Sequence, residues 1–155
     1  MLIDGEDGVT HINIYSKGKT NLGKWLSNFT YAPISTEHGW FNSIEGYWYW
    51  LTTANDRLRN LSGHEAKKLG EESEVLVKLD SEIFITKIKR ALDLKLKSDK
   101  PALSEFALST LPFCHYYEYG GKRVDAGYDW IIEHFEDRRK LMKEYYTKIN
   151  GKIRD

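Results

Sequence analysis

The chain has 155 residues, 41% of them hydrophobic and 30% charged, a length and balance that suit one folded domain with one core. Its 23 lysines and arginines cancel its 23 aspartates and glutamates. That argues against a duplex-DNA binder that works by neutralising phosphates, and leaves room for a small nucleotide or brief contact with a base.

His11–Tyr15 alternates as a short half-buried strand does. Lys17–Lys24 reads as a basic, glycine-containing loop, and Pro33 interrupts the chain soon after Phe29. Glu37-His38-Gly39 reads as a turn that Trp40 and Phe41 leave in extended form. A helix follows. Asn42 is the expected N-cap and Glu45, three residues on, stands at the capping-box position. Ile44, Tyr47, Trp48, Leu51, Ala54 and Leu58 keep helical spacing to about Arg59. Ser62 and Glu65 repeat the capping signature for a helix ending near Gly70. Asp80 opens a third helix that runs to about Lys97 with Ile85, Ile88 and Leu92 on its apolar face, and Pro101 fits the first turn of a fourth. Phe113–Tyr119 is aromatic and extended; Gly120-Gly121 turns the chain so that Lys122–Asp125 can pair back as a hairpin. The last helix is expected from about Gly127 to Ile149, with Trp130, Ile131, Phe135, Leu141, Met142 and Tyr145 at helical spacing. The fold class is α+β: mostly helical, with a small sheet from the two ends of the chain. No linker, repeat or low-complexity tract divides it, so residues 1–155 are expected to form a single domain.

Cys114 is the one cysteine and cannot form an intramolecular disulfide, which points to a reducing compartment. The acidic start lacks the pattern of a signal peptide, and no apolar run approaches a membrane span. The expected location is the cytoplasm, with no membrane association. No metal set is visible, because the five histidines have no paired ligand spacing and one cysteine cannot build a zinc site; no cofactor is implied.

The densest chemistry lies in Trp40–Trp50, where Glu45 stands among six large aromatic rings. Rings supply stacking surface for flat ligands, and a carboxylate set among them costs free energy to keep charged, so its pKa rises towards the range of a general acid. A capping role accounts for Glu45 equally well. Trp48 and Trp50 lie two positions apart and so point in different directions; Trp48 shares the i, i+3 face with Glu45 and is the better stacking candidate. Asp125 to Trp130 forms a second acidic cluster, in which Asp129 is either a helix cap or a partner carboxylate. The basic Lys17–Lys24 loop has the composition to hold phosphates, without a P-loop pattern. Cys114 and His115 are adjacent in extended chain and point to opposite faces, which argues against a Cys–His nucleophile pair.

Leu26-Ser27-Asn28-Phe29, then Pro33-Ile34, then Ser43-Ile44-Glu45-Gly46-Tyr47 resembles the opening of the NADAR (YbiA-like) N-glycosidase family. Ala66-Lys67 with Gly70, Tyr119-Gly120, and Gly127, Trp130 and Arg138 resemble its later segments, so the likeness spans roughly Ile12 to Arg138. The Phe41–Trp50 form resembles a divergent branch associated with tailed bacteriophages. The resemblance implies hydrolysis of an N-glycosidic bond in a ribose-phosphate or ADP-ribose conjugate, such as ADP-ribosyl-guanine or a riboflavin-pathway intermediate. It places Glu45 at the reacting centre and Asp129 at a C-terminal polar position. It also implies Lys17 and Lys24 near phosphate, with Asn28, Phe29, Trp40, Trp48, Tyr119 and Trp130 as substrate contacts. Two departures stand out. Tyr119 replaces the usual Trp, and Tyr116 stands where many members carry Asp. They motivate the alternative of a non-catalytic nucleotide- or ADP-ribose-binding phage accessory protein, with a host protein as a further partner class.

Overall fold

The computed structural model describes residues 4–150. In chain order the elements are β1 (Ile12–Asn13), α1 (Asn21–Leu26), β2 (Ile34–Thr36), β3 (Gly39–Phe41), α2 (Ile44–Thr53), a 3-10 turn (Asp56–Asn60), α3 (Gly63–Glu72), α4 (Ser81–Ser98), α5 (Lys100–Leu108), β4 (Phe113–Cys114), β5 (Tyr116–Tyr119), β6 (Lys122–Asp125) and α6 (Asp129–Asn150). This is the mostly helical α+β architecture expected from the sequence. The chain divides into two compact units: one contains the residues up to Leu26 together with those from Pro101 onward, and the other is Ser27–Lys100.

In the first unit β1 pairs in parallel with β4, Ile12 opposite Phe113 and Asn13 opposite Cys114, so residues from the two ends of the chain meet in one sheet. His11, Ile12, Asn13 and Ile14 are all buried, not alternately so. The strand is covered on both faces, and its polar residues survive burial because each is paired. Asn13 Nδ2 donates to Tyr116 O at 3.0 Å while Tyr116 N–H donates to Asn13 Oδ1 at 2.9 Å. His11 Nε2 and Tyr116 Oη share a hydrogen bond of 2.6 Å. Phe106 of α5 stacks on Phe113 at 5.7 Å and meets Phe135 of α6 edge-on at 6.0 Å, giving this unit an aromatic core. The expected hairpin is present: β5 and β6 pair antiparallel around Gly120 and Gly121, whose φ values of 54° and 79° are those of a tight two-residue turn. Two expectations fail here. The Lys17–Lys24 stretch is not all loop, because Asn21 starts α1. Leu141 and Tyr145 of α6 are 47% and 61% exposed, so the buried face of that helix is confined to its first half.

In the Ser27–Lys100 unit β2 and β3 form an antiparallel hairpin with Gly39 (φ 99°) at its turn. Helix α2 ends at Thr53, six residues earlier than its apolar spacing suggests, because Ala54 takes a left-handed conformation and donates its N–H to Trp50 O. Asp80 caps α4 as expected, its side chain accepting from Glu82 N–H. Helices α2 and α3 approach closely at Gly70: a Cβ there would lie 2.1 Å from the Tyr49 ring. Gly70→Ala is expected to lower stability by about 1–3 kcal/mol, since the rigid ring has to move; a thermal melt with an unchanged midpoint would contradict this contact.

Candidate functional site

The N-terminus of α2 is capped by Ser43, not Asn42. Ser43 Oγ accepts from Gly46 N–H at 3.0 Å and donates to Leu61 O at 2.8 Å. Asn42 is taken up elsewhere: its Oδ1 accepts from Trp40 Nε1–H at 2.8 Å and its backbone N–H donates to Arg59 O. The shift of one residue matters. Glu45 becomes the second helical residue, out of the capping-box position, and its carboxyl forms no hydrogen bond among the described residues. Its backbone N–H donates to Asn28 O at 3.0 Å.

Glu45 is only 8% exposed. Burial pushes its carboxyl up to about 7; Lys67 opposes that rise and Glu71 adds to it, both from α3. A carboxyl poised near neutrality can both give and take a proton at pH 7.

The wall beside Glu45 is the turn Ser27–Thr30. Ser27 Oγ accepts from Phe29 N–H at 3.2 Å, and Thr30 N–H donates to Ser27 O. Phe29 O accepts from Gly63 N–H at the start of α3, and the Phe29 ring meets His64 edge-on at 5.0 Å. Asn28, Phe29, Glu45, His64, Lys67 and Glu71 therefore share one region of a single unit. The turn has a further anchor: Lys95 of α4, 1% exposed, donates from Nζ to Ser27 O at 2.7 Å, and burial pushes its ammonium down to about 7. Sequence reasoning missed Lys95. The signal was its spacing from Ile88 and Leu92, which places it on the buried stripe of α4.

The other aromatic candidates of this unit are placed as follows. Trp48 packs edge-to-face on Phe84 of α4 at 4.8 Å. Trp50 joins Phe41 around the Arg59 guanidinium, which lies 4.5 Å from the Phe41 ring and 4.8 Å from the Trp50 ring. Trp40 is 53% exposed, its ring held by Asn42.

Lys17, Lys24, Tyr119, Asp129 and Trp130 belong to the first unit. Lys17 and Lys24 are exposed, Lys24 on α1. Tyr119 is 61% exposed at the end of β5. Asp129 is the exposed first residue of α6, and Trp130 meets Tyr128 edge-on at 6.4 Å. Near them, burial drives His115 down to about 4 against the opposing pull of Asp125, and its Nδ1 has no hydrogen-bond partner among the described residues. Tyr116 is fully buried in the pairing with His11, so that position is occupied by core packing. No group of three or more His, Cys, Asp or Glu residues suited to a metal ion occurs among the described residues, and no helix among them is long and apolar enough to cross a membrane.

No family model matches the chain, and no curated protein matches it. Among solved structures, the NMR structure of the E. coli protein YbiA is similar, with a TM-score of 0.66 and 15% identity over 87% of this chain and 89% of that chain. At that identity the likeness is one of fold, and the fold is YbiA-like.

Proposed function

We propose that the protein hydrolyses an N-glycosidic bond in a ribose-phosphate or ADP-ribose conjugate, with Glu45 as the acid–base group. The observation that carries the reading is a buried carboxyl in the first turn of α2, held up to about 7 and left without a hydrogen bond to its oxygens among the described residues. As the bond breaks, the ribose gains oxocarbenium character and the leaving nitrogen needs a proton. Protonated Glu45 meets that need, and its conjugate base then activates the incoming water. The Phe29–His64 pair offers an aromatic edge to a base, and Lys67 an ammonium to a phosphate oxygen. Asp129 and Trp130 remain proposed contacts of the substrate.

The test is chromatography of ADP-ribosylated guanine DNA and, separately, a ribosylaminopyrimidine phosphate after incubation with wild type and with Glu45→Gln. Free base or amine from the wild type alone supports the reading; equal release by both proteins removes Glu45 from the mechanism.

The second reading, a nucleotide-binding module that does not cleave, is favoured by Tyr116. Where the resembling family often has an aspartate, this chain has a tyrosine spent on His11 in the core. Tight ADP-ribose binding by calorimetry with no product over hours would select it.

A further inference from the structure

A cleft of ≈ 490 Å³ runs between the β2–β3 hairpin and α4, within the Ser27–Lys100 unit. One wall is Ser35, Thr36 and Glu37; the other is the α4 face carrying Lys87, Arg90, Asp93 and Lys97, and Tyr47 forms part of the floor. Glu45 and Tyr47 lie two positions apart on α2 and therefore point to different sides of the helix. The cleft is thus separate from the Glu45 region.

The charges in it are not evenly matched. Lys87 is committed to Glu37, Nζ to Oε1 at 2.6 Å. Arg90 and Lys97 form no ion pair among the described residues, and Asp93 is the one carboxylate lining the cleft besides Glu37. Arg90 is exposed on the α4 wall, and its positive charge acts weakly on Glu37 and on the buried Tyr47 hydroxyl, both of which line the same cleft. On the opposite wall the Thr36 hydroxyl is spent within the hairpin, donating to Gly39 O at 2.9 Å and accepting from His38 N–H at 3.0 Å, so the polar contacts open to a ligand are the cations of α4. An arginine fork and a lysine ammonium on one wall match the several oxygens and double charge of a phosphoryl group better than a single carboxylate. The volume suits a small molecule of nucleotide size.

We infer that this cleft is an anion site that takes the phosphate or diphosphate group of a small molecule, with Arg90 and Lys97 as its cationic contacts. It does not depend on the Glu45 reading.

The test is calorimetric titration with inorganic pyrophosphate at low salt. Four proteins are compared: wild type, Arg90→Ala/Lys97→Ala, Lys140→Ala/Lys148→Ala as a charge-matched change on exposed positions of α6, and Glu45→Gln. All the substituted cations are exposed, and far-UV circular dichroism confirms that each variant is folded. The expected result is saturable binding of one pyrophosphate per chain, weakened at least about tenfold by the cleft pair. The α6 pair should stay within about twofold of wild type, and Glu45→Gln should leave binding unchanged. Three results would overturn the inference: no saturable binding up to about 10 mM, equal weakening by the two double variants, or binding that tightens in Glu45→Gln, where loss of a repelling carboxylate would put the anion beside Glu45.

Discussion

Glu45→Gln is expected to lose turnover by about 10²–10⁴-fold on an N-ribosyl substrate and, at pH 8, to be more stable than the wild type by about 3 kcal/mol. The stability half follows from burial alone. In the unfolded chain the carboxyl titrates at the ordinary value of 4.5; in the folded protein it holds its proton to about 7. Below pH 4.5 both states are protonated, and glutamine resembles the native side chain in charge. Between 4.5 and 7 the unfolded state ionises first, so the folded state loses relative stability as pH rises. Above 7 the full cost is present and the neutral glutamine avoids it. His115 works in the opposite sense, since its folded value of about 4 lies below the ordinary 6.5 and stabilises the fold as pH rises through that window. The wild-type profile alone therefore blurs the effect, and the difference between variant and wild type isolates it. Urea unfolding of both proteins at pH 4 and pH 8 measures it; a difference that does not grow with pH would show that the carboxyl is solvated. The same group predicts a break near pH 7 in kcat/KM.

The second large effect is at Lys95. Its folded value of about 7 lies below the ordinary 10.5 because the amine is fully buried. Below pH 7 the folded state carries a buried ammonium at full cost. Between 7 and 10.5 the folded amine is neutral while the unfolded one remains charged, so the wild type gains stability with rising pH. Lys95→Met removes that dependence. At pH 6 the variant is expected to be more stable by about 2 kcal/mol, the relief of the buried charge being partly offset by the lost hydrogen bond to the Ser27 carbonyl, which keeps only Thr30 N–H. By pH 10 the advantage is expected to vanish or reverse. Turnover should fall at every pH, because the Ser27–Thr30 turn that Lys95 holds is the one that receives the Glu45 N–H. Denaturant unfolding at pH 6 and pH 10 decides it: a pH-independent difference would mean that Lys95 is not desolvated.

The parts of the fold legible in the sequence are those set by local chemistry. Asp80 opens the amphipathic run of α4 as its cap, and Gly120-Gly121 takes without strain the positive φ that a two-residue turn between strands requires at both positions. Where two residues compete, local rules do not decide. Asn42 and Ser43 are both good caps; the choice fell to Ser43 because Trp40 and Arg59 occupy Asn42, contacts that only the tertiary structure supplies. Glu45 and its raised pKa were legible as a carboxylate among rings, but the charges of α3 that act on it were not, since Lys67 and Glu71 lie more than twenty residues away. Lys95 was missed because lysine is so rarely buried that its spacing with Ile88 and Leu92 does not by itself mark it as a core residue. Leu141 and Tyr145 show the limit of periodicity, which identifies an apolar helix face without saying whether anything covers it.

The pairing of β1 with β4 joins residues about a hundred positions apart. During synthesis, therefore, the first strand leaves the ribosome long before its partner exists, whereas Ser27–Lys100 is a continuous stretch that can collapse as soon as it emerges. Asn13 and His11 must wait in water until Tyr116 arrives to satisfy them. The rate of folding of the full chain is then set by the closure of that long loop, and joining the two ends of the first unit in a circular permutant that begins at Ser27 should accelerate it.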